Sequence, residues 1–114
     1  MIDWERVSEL QSEIGEDGFS EVLELFLDEV ESVVALLGGA SRNLEDDLHF
    51  LKGSAWNLGF VAFGAVCHEG ERKCAAGLSA EVNLASVPEI YAQSKAAFMA
   101  RVGEFYGVKG CAVA

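Results

Sequence analysis

Leu48-His49-Phe50-Leu51-Lys52-Gly53-Ser54-Ala55-Trp56-Asn57-Leu58-Gly59-Phe60 is the stretch on which the reading of this chain turns. At about 100° per residue, Leu44, Leu48, Leu51, Ala55, Leu58 and Ala62 share one apolar stripe, so the stretch is the middle of an amphipathic helix. His49 lies roughly 140° from the centre of that stripe, on the side of Lys52, Gly53 and Trp56, and therefore looks outward. A glycine inside a helix costs about 1 kcal/mol against alanine. Gly53, one turn beyond an outward histidine, removes the side chain that would crowd the imidazole. Lys52 places a cation beside the ring. An accessible imidazole, an ammonium nearby and a cleared approach suit a nucleophile that receives an anionic group such as a phosphoryl.

The rest of the chain repeats the helical pattern. Asp3 caps a short first helix over 3–13, with Trp4, Val7, Leu10 and Ile14 as its apolar face, and Gly15-Glu16-Asp17-Gly18 breaks it. A second helix over 18–37 keeps Phe19, Val22, Leu23, Phe26, Leu27, Val30, Val33, Val34 and Leu37 at 3- and 4-residue spacing. Its other side carries Glu21, Glu24, Asp28, Glu29 and Glu31, a solvated acidic face. Gly38-Gly39 ends it. Ser41 caps the third helix, over 42–59, which holds His49. The fourth, over 61–77, turns Phe63, Val66, Cys67 and Cys74 to the core. Ser86-Val87-Pro88-Glu89 is a capping box with proline in the first turn. It opens a last helix over 87–106 with Ile90, Tyr91, Ala97, Phe98, Val102 and Phe105 inward, ended by Gly107. The predicted fold is all-α: an antiparallel up-down four-helix bundle with a short additional N-terminal helix. Residues 1–107 form one domain and 108–114 a short frayed tail.

Composition bounds the function. A chain of 114 residues, 51% apolar and 24% charged, is long enough for one domain with a core. The net charge of −11 argues against nucleic acid or an anionic membrane as a partner. No apolar run approaches a membrane span, and Met1-Ile2-Asp3-Trp4-Glu5 lacks a signal-peptide pattern. Cys67 and Cys74 point the same way but lie too far apart along a helix to bridge. Free thiols of a reducing cytoplasm are the plain reading. Cys-x₂-Cys spacing is absent, which removes the usual structural zinc pattern.

His-x-Leu-Lys-Gly-Ser-Ala-x-x-Leu-Gly, from His49 to Gly59, resembles the signature of histidine phosphotransfer domains. Those are four-helix bundles that carry a phosphoryl group on one histidine in two-component phosphorelays. Family members place a Gln or Glu on the neighbouring helix 22 positions after the histidine, and here that residue is Glu71. The phosphoacceptor domain of chemotaxis histidine kinases has a second histidine 19 positions on, and here that is His68. The resemblance implies His49 as phosphoacceptor, with Lys52, Glu71 and His68 around it. It further implies a response-regulator receiver domain and a sensor or hybrid histidine kinase as partners, and a monomer. No cofactor of its own is expected, Mg²⁺ being held by the receiver. The chain has no Gly-rich phosphate loop and no kinase motif, so it reads as a phosphoryl carrier and not an enzyme acting on ATP.

Within that frame each residue has a task. Glu71 accepts Nδ1–H of His49, fixes the tautomer and leaves Nε2 as nucleophile. Lys52 offsets phosphoryl charge. His68 hydrogen-bonds to Glu71 or to His49. Gly53, Trp56 and Glu45 face the partner. Trp56 departs from the smaller residue common in relatives; it contacts the partner or packs on the fourth helix. Gly70 is a second departure, expected to loosen the fourth helix and the setting of Glu71. A chemotaxis-type kinase domain is the nearest alternative; a start at Met1 and an end after one bundle favour a free-standing protein. Two rivals belong to other classes. One is a metal-binding bundle using Glu45, His49, His68 and Glu71, which Lys52 opposes. The other is a docking module with a vestigial histidine.

Overall fold

The computed structural model describes residues 1–105. Five α-helices follow in order: α1 (Trp4–Ile14), α2 (Glu16–Leu36), α3 (Leu44–Leu58), α4 (Val61–Ala75) and α5 (Ser86–Met99). Short 3₁₀ turns lie at Ser79–Glu81 and Val102–Phe105. The fold is all-helical, and the predicted stop at Gly107 and the tail from 108 lie outside the described residues.

The core is where the 3- and 4-residue spacing puts it. Val7 and Leu10 of α1, Phe19, Leu23, Leu27 and Val30 of α2, and Leu48, Leu51, Ala55 and Leu58 of α3 are all buried. Phe63 and Cys67 of α4 complete one layer, and Cys74 packs at its margin. Aromatic rings close one end of the core. Phe98 stacks on Trp4 at 5.7 Å and meets Phe60 edge-on at 5.1 Å, and Phe63 lies 5.2 Å from Tyr91. On α5 the inward set differs from the predicted one. Val87, Tyr91, Ser94 and Phe98 are buried while Ala97 is exposed, because 87, 91, 94 and 98 form the continuous helical stripe.

Three helix starts differ from the sequence reading. A single left-handed residue, Gly15 (φ 95°), separates α1 from α2, so α2 begins at Glu16 and includes Gly18. Asn43, not Ser41, caps α3: its side-chain oxygen accepts from the Asp46 amide at 3.0 Å. Asn and Ser are equally good caps. Ser41 loses because Arg42 turns back, with its amide on the Gly39 carbonyl at 3.1 Å. Its guanidinium reaches Asp47 at 2.7 and 3.1 Å. The predicted capping box at Ser86 does not form either. Ser86 is the first residue of α5, Ala85 stands at the N-cap without a side-chain cap, and Asn83 binds Ser86 in the preceding turn: its side chain accepts the Ser86 amide at 3.3 Å, and its carbonyl accepts the Ser86 hydroxyl at 2.7 Å.

One feature of the N-terminus positions the rest. The Asp3 amide donates to the Gly59 carbonyl at 2.7 Å, and the Val61 amide donates to the Met1 carbonyl at 3.0 Å. Residues 1–3 thus clip the turn between α3 and α4. Gly59 (φ 79°) is required there, because a Cβ would stand 2.6 Å from the Asp3 carbonyl oxygen. The two helices leave that turn as an antiparallel hairpin: Trp56 lies against Gly64 near the turn and Leu48 against Gly70 farther away.

Candidate functional site

The α3/α4 hairpin brings three of the predicted residues together. The Glu71 carboxylate lies between two partners: Oε2 is 2.7 Å from Nδ1 of His49, and Oε1 is 2.7 Å from Nζ of Lys52. The Lys52 ammonium first, and the His49 imidazole after it, hold the Glu71 carboxyl below the usual carboxylate range. Glu71 is therefore an anion at neutral pH and can only accept. Nδ1 of His49 must then carry the hydrogen in this contact, which leaves the Nε2 lone pair free in the neutral ring. The His49 side chain is 69% exposed, against 17% for Lys52 and 18% for Glu71. An exposed imidazole thus stands on a drier, charge-balanced base.

The surroundings of His49 follow from the two helical faces. Nothing lies within 4 Å of where a Cβ of Gly53 would be, so the approach to the imidazole is open on that side. Phe50 and Trp56, both exposed, flank the site along α3. Glu45 is exposed one turn before His49. Gly70 lies within the unbroken α4. It is a buried point of close approach, where a Cβ would stand 2.9 Å from Cδ1 of Leu48. Glycine here leaves room for the Leu48 side chain one residue from Glu71.

His68 is placed differently from the sequence reading. It is exposed, its ring centroid is 6.0 Å from that of Trp56, and no hydrogen bond joins it to Glu71 or His49 among the described residues. Along α4, residue 68 lies towards the turn and so meets Trp56. Glu69, expected in the charged run, pairs with Arg72 in solvent. Among the described residues no three His, Cys, Asp or Glu side chains converge to hold a metal ion.

One participant escaped the sequence reading: Gly64, which receives the Trp56 indole across the hairpin. A signal for it exists. In an antiparallel register that pairs His49 with Glu71, Trp56 lies seven residues forward and Gly64 seven back.

An exposed histidine, oriented by a carboxylate on the next helix of an all-helical protein, presents a free ring nitrogen to solvent. The Hpt domain family matches residues 21–97, and the chain belongs to that family. Hpt domains serve histidine phosphotransfer in phosphorelays and are carriers of phosphoryl groups, not catalysts. No curated protein and no solved structure matches the chain. Among the described residues no helix is long and apolar enough to cross a membrane.

Proposed function

We propose that this protein accepts a phosphoryl group on Nε2 of His49 and exchanges it with an aspartate of a response-regulator receiver domain. The helices form an up-down antiparallel bundle in this reading, with α1 across one end. The observation that carries it is the pair of 2.7 Å contacts at Glu71, which leave Nε2 as the free nitrogen of an exposed ring. In the transfer, the Nε2 lone pair forms the N–P bond as the aspartyl O–P bond breaks, and the aspartate leaves as a carboxylate. The ring then holds a positive charge with its hydrogen on Nδ1, and the Glu71 carboxylate stabilises it there. Lys52 sits beside the same carboxylate and offsets charge on the phosphoryl. The receiver supplies the Mg²⁺ and this chain needs no cofactor. A sensor or hybrid kinase supplies the phosphoryl, and the protein acts in the cytoplasm as a monomer. The position of His68 against Trp56 supports a carrier with one acting histidine.

Chemical phosphorylation tests this reading. Phosphoramidate should add one acid-labile phosphoryl to wild type and to His68→Gln, and none to His49→Gln. The ring is mostly in water, so His49→Gln should also leave the unfolding free energy from urea denaturation within about 0.5 kcal/mol of wild type. Labelling of His68, or of neither histidine, would overturn the assignment.

A further inference from the structure

The Trp56 indole is engaged on three sides. Lys52 Nζ lies over the ring, 5.7 Å from its centroid. Across the hairpin Gly64 makes room for it: a Cβ there would stand 2.3 Å from Nε1 and 2.5 Å from Cδ1 of the indole. The His68 ring closes the third side. Lys52 needs such cover. Its neighbour Gly53 has no side chain, and the space around Gly53 is open, yet the Lys52 side chain is only 17% exposed. A lysine on a flexible four-carbon stem is strongly hydrated and readily leaves a surface partner for water. The indole one turn on supplies an apolar wall and a π-face.

We propose that Trp56 is a positioning residue: seated on Gly64, its indole covers Lys52 and holds the ammonium on Oε1 of Glu71, so that Oε2 stays on Nδ1 of His49. The proposal rests on His49 being the phosphoacceptor, and it deepens that reading by adding a chain from Gly64 through Trp56 and Lys52 to the carboxylate that orients the ring. It differs from the simpler role of an exposed tryptophan as a partner anchor, because it acts before any partner arrives.

The test uses the full chain and four variants: Trp56→Ala, Trp56→Phe, Gly64→Ala and Lys52→Ala. Gly64→Ala deletes no functional group and favours the helix, yet displaces the indole; far-UV circular dichroism confirms that each variant is folded. The Glu71 carboxyl is followed by ¹³C NMR against pH. It is faced by Lys52 and His49 from α3, with Cys74 near it on its own helix. Trp56→Ala and Gly64→Ala should move the Glu71 midpoint up by about 0.3 to 0.7 pH unit, the two- to fivefold change that an exposed cation–π contact supports. Phosphoramidate labelling of His49 should slow by the same factor. Trp56→Phe should keep both near wild type, and in a Lys52→Ala background Trp56→Ala should change neither further. A Glu71 midpoint and a labelling rate unchanged in Trp56→Ala would overturn the proposal and leave the indole as a partner anchor. Failure of His49 to take the label would overturn the phosphotransfer reading instead, while the Glu71 titration, which needs no phosphoryl group, would still decide the role of Trp56.

Discussion

Glu71 binds one partner with each carboxylate oxygen, and that arrangement has a measurable pH signature. Lys52 first, then His49, lower its pKa from an ordinary value of 4.5. A carboxyl whose pKa is lower folded than unfolded adds stability above the unfolded value, and this contribution disappears as pH falls from about 4.5 through the lower folded value. Glu71→Gln should therefore lower the urea midpoint at neutral pH and converge with wild type in acid. A gap between the two curves that stays constant with pH would show that the ion pair contributes nothing. Gly53 makes a second prediction at this scale. A Cβ there meets nothing, so Gly53→Gln should stabilise α3 by about 0.5–1 kcal/mol. Small phosphoramidate should still label His49, while transfer to a receiver should slow on the order of tenfold, the effect of a clash worth about 1.4 kcal/mol. Equal slowing of both would place the obstruction at the ring and not at the docking face. The meeting of His49, Lys52 and Glu71 was legible in the sequence, because helical spacing sets the face and the motif sets the register across the hairpin. The seat of the Trp56 indole against α4 was not, because it depends on Gly64, whose meaning lies in the space it leaves on another helix, and His68 lies nearer the turn than a contact with His49 or Glu71 requires.

Helix boundaries are decided by competition between nearby caps, and the sequence holds more good caps than helices. Ser41 and Asn43 both precede α3, and either could accept from its first amides. The turn at Gly39 and the reach of Arg42 to Asp47 decide for Asn43. Asn43→Ala should accordingly cost about 1 kcal/mol of stability, and Ser41→Ala less than about 0.5 kcal/mol, both from urea denaturation; the reverse order would return the cap to Ser41. The same competition acts at α5, where Asn83 captures Ser86 by three hydrogen bonds and removes it from the capping box. The buried faces of α1 to α3 were legible because long periodic runs average over such local choices. The clip of residues 1–3 onto the α3/α4 turn was not legible: its hydrogen bonds are between backbone groups, which carry no side-chain signal, and only Gly59 marks it.

At the scale of the molecule, charge is divided unevenly. The segments of α1 and α2 carry ten carboxylates against one arginine, whereas those of α3 and α4 carry five against three cations. In the proposed reaction a phosphoryl arriving at His49 meets a pair of helices less negative than α1 and α2, and the acidic face of α2 is left to solvent except at Glu31, which binds Tyr91 and Lys95 of α5. Most of the net charge of −11 then acts on the fold through self-repulsion, which weakens a compact state and is screened by salt over a Debye length of about 10 Å at 0.1 M. Glu21, Glu24 and Glu29 are exposed on α2, and among the described residues no ion pair involves them. Replacing all three by glutamine keeps the helix propensity and removes only charge. The triple variant should show a higher urea midpoint than wild type at about 10 mM salt, and the difference should vanish near 1 M, where the Debye length falls to about 3 Å. Labelling of His49 should be unchanged throughout, since Lys52 and Glu71 fix the local field at the ring. A triple variant no more stable at low salt would mean that the α2 carboxylates lie too far apart in water to repel. A changed labelling rate would mean that the field of α2 reaches the histidine, and that the carrier face is tuned by the whole molecule and not by the hairpin alone.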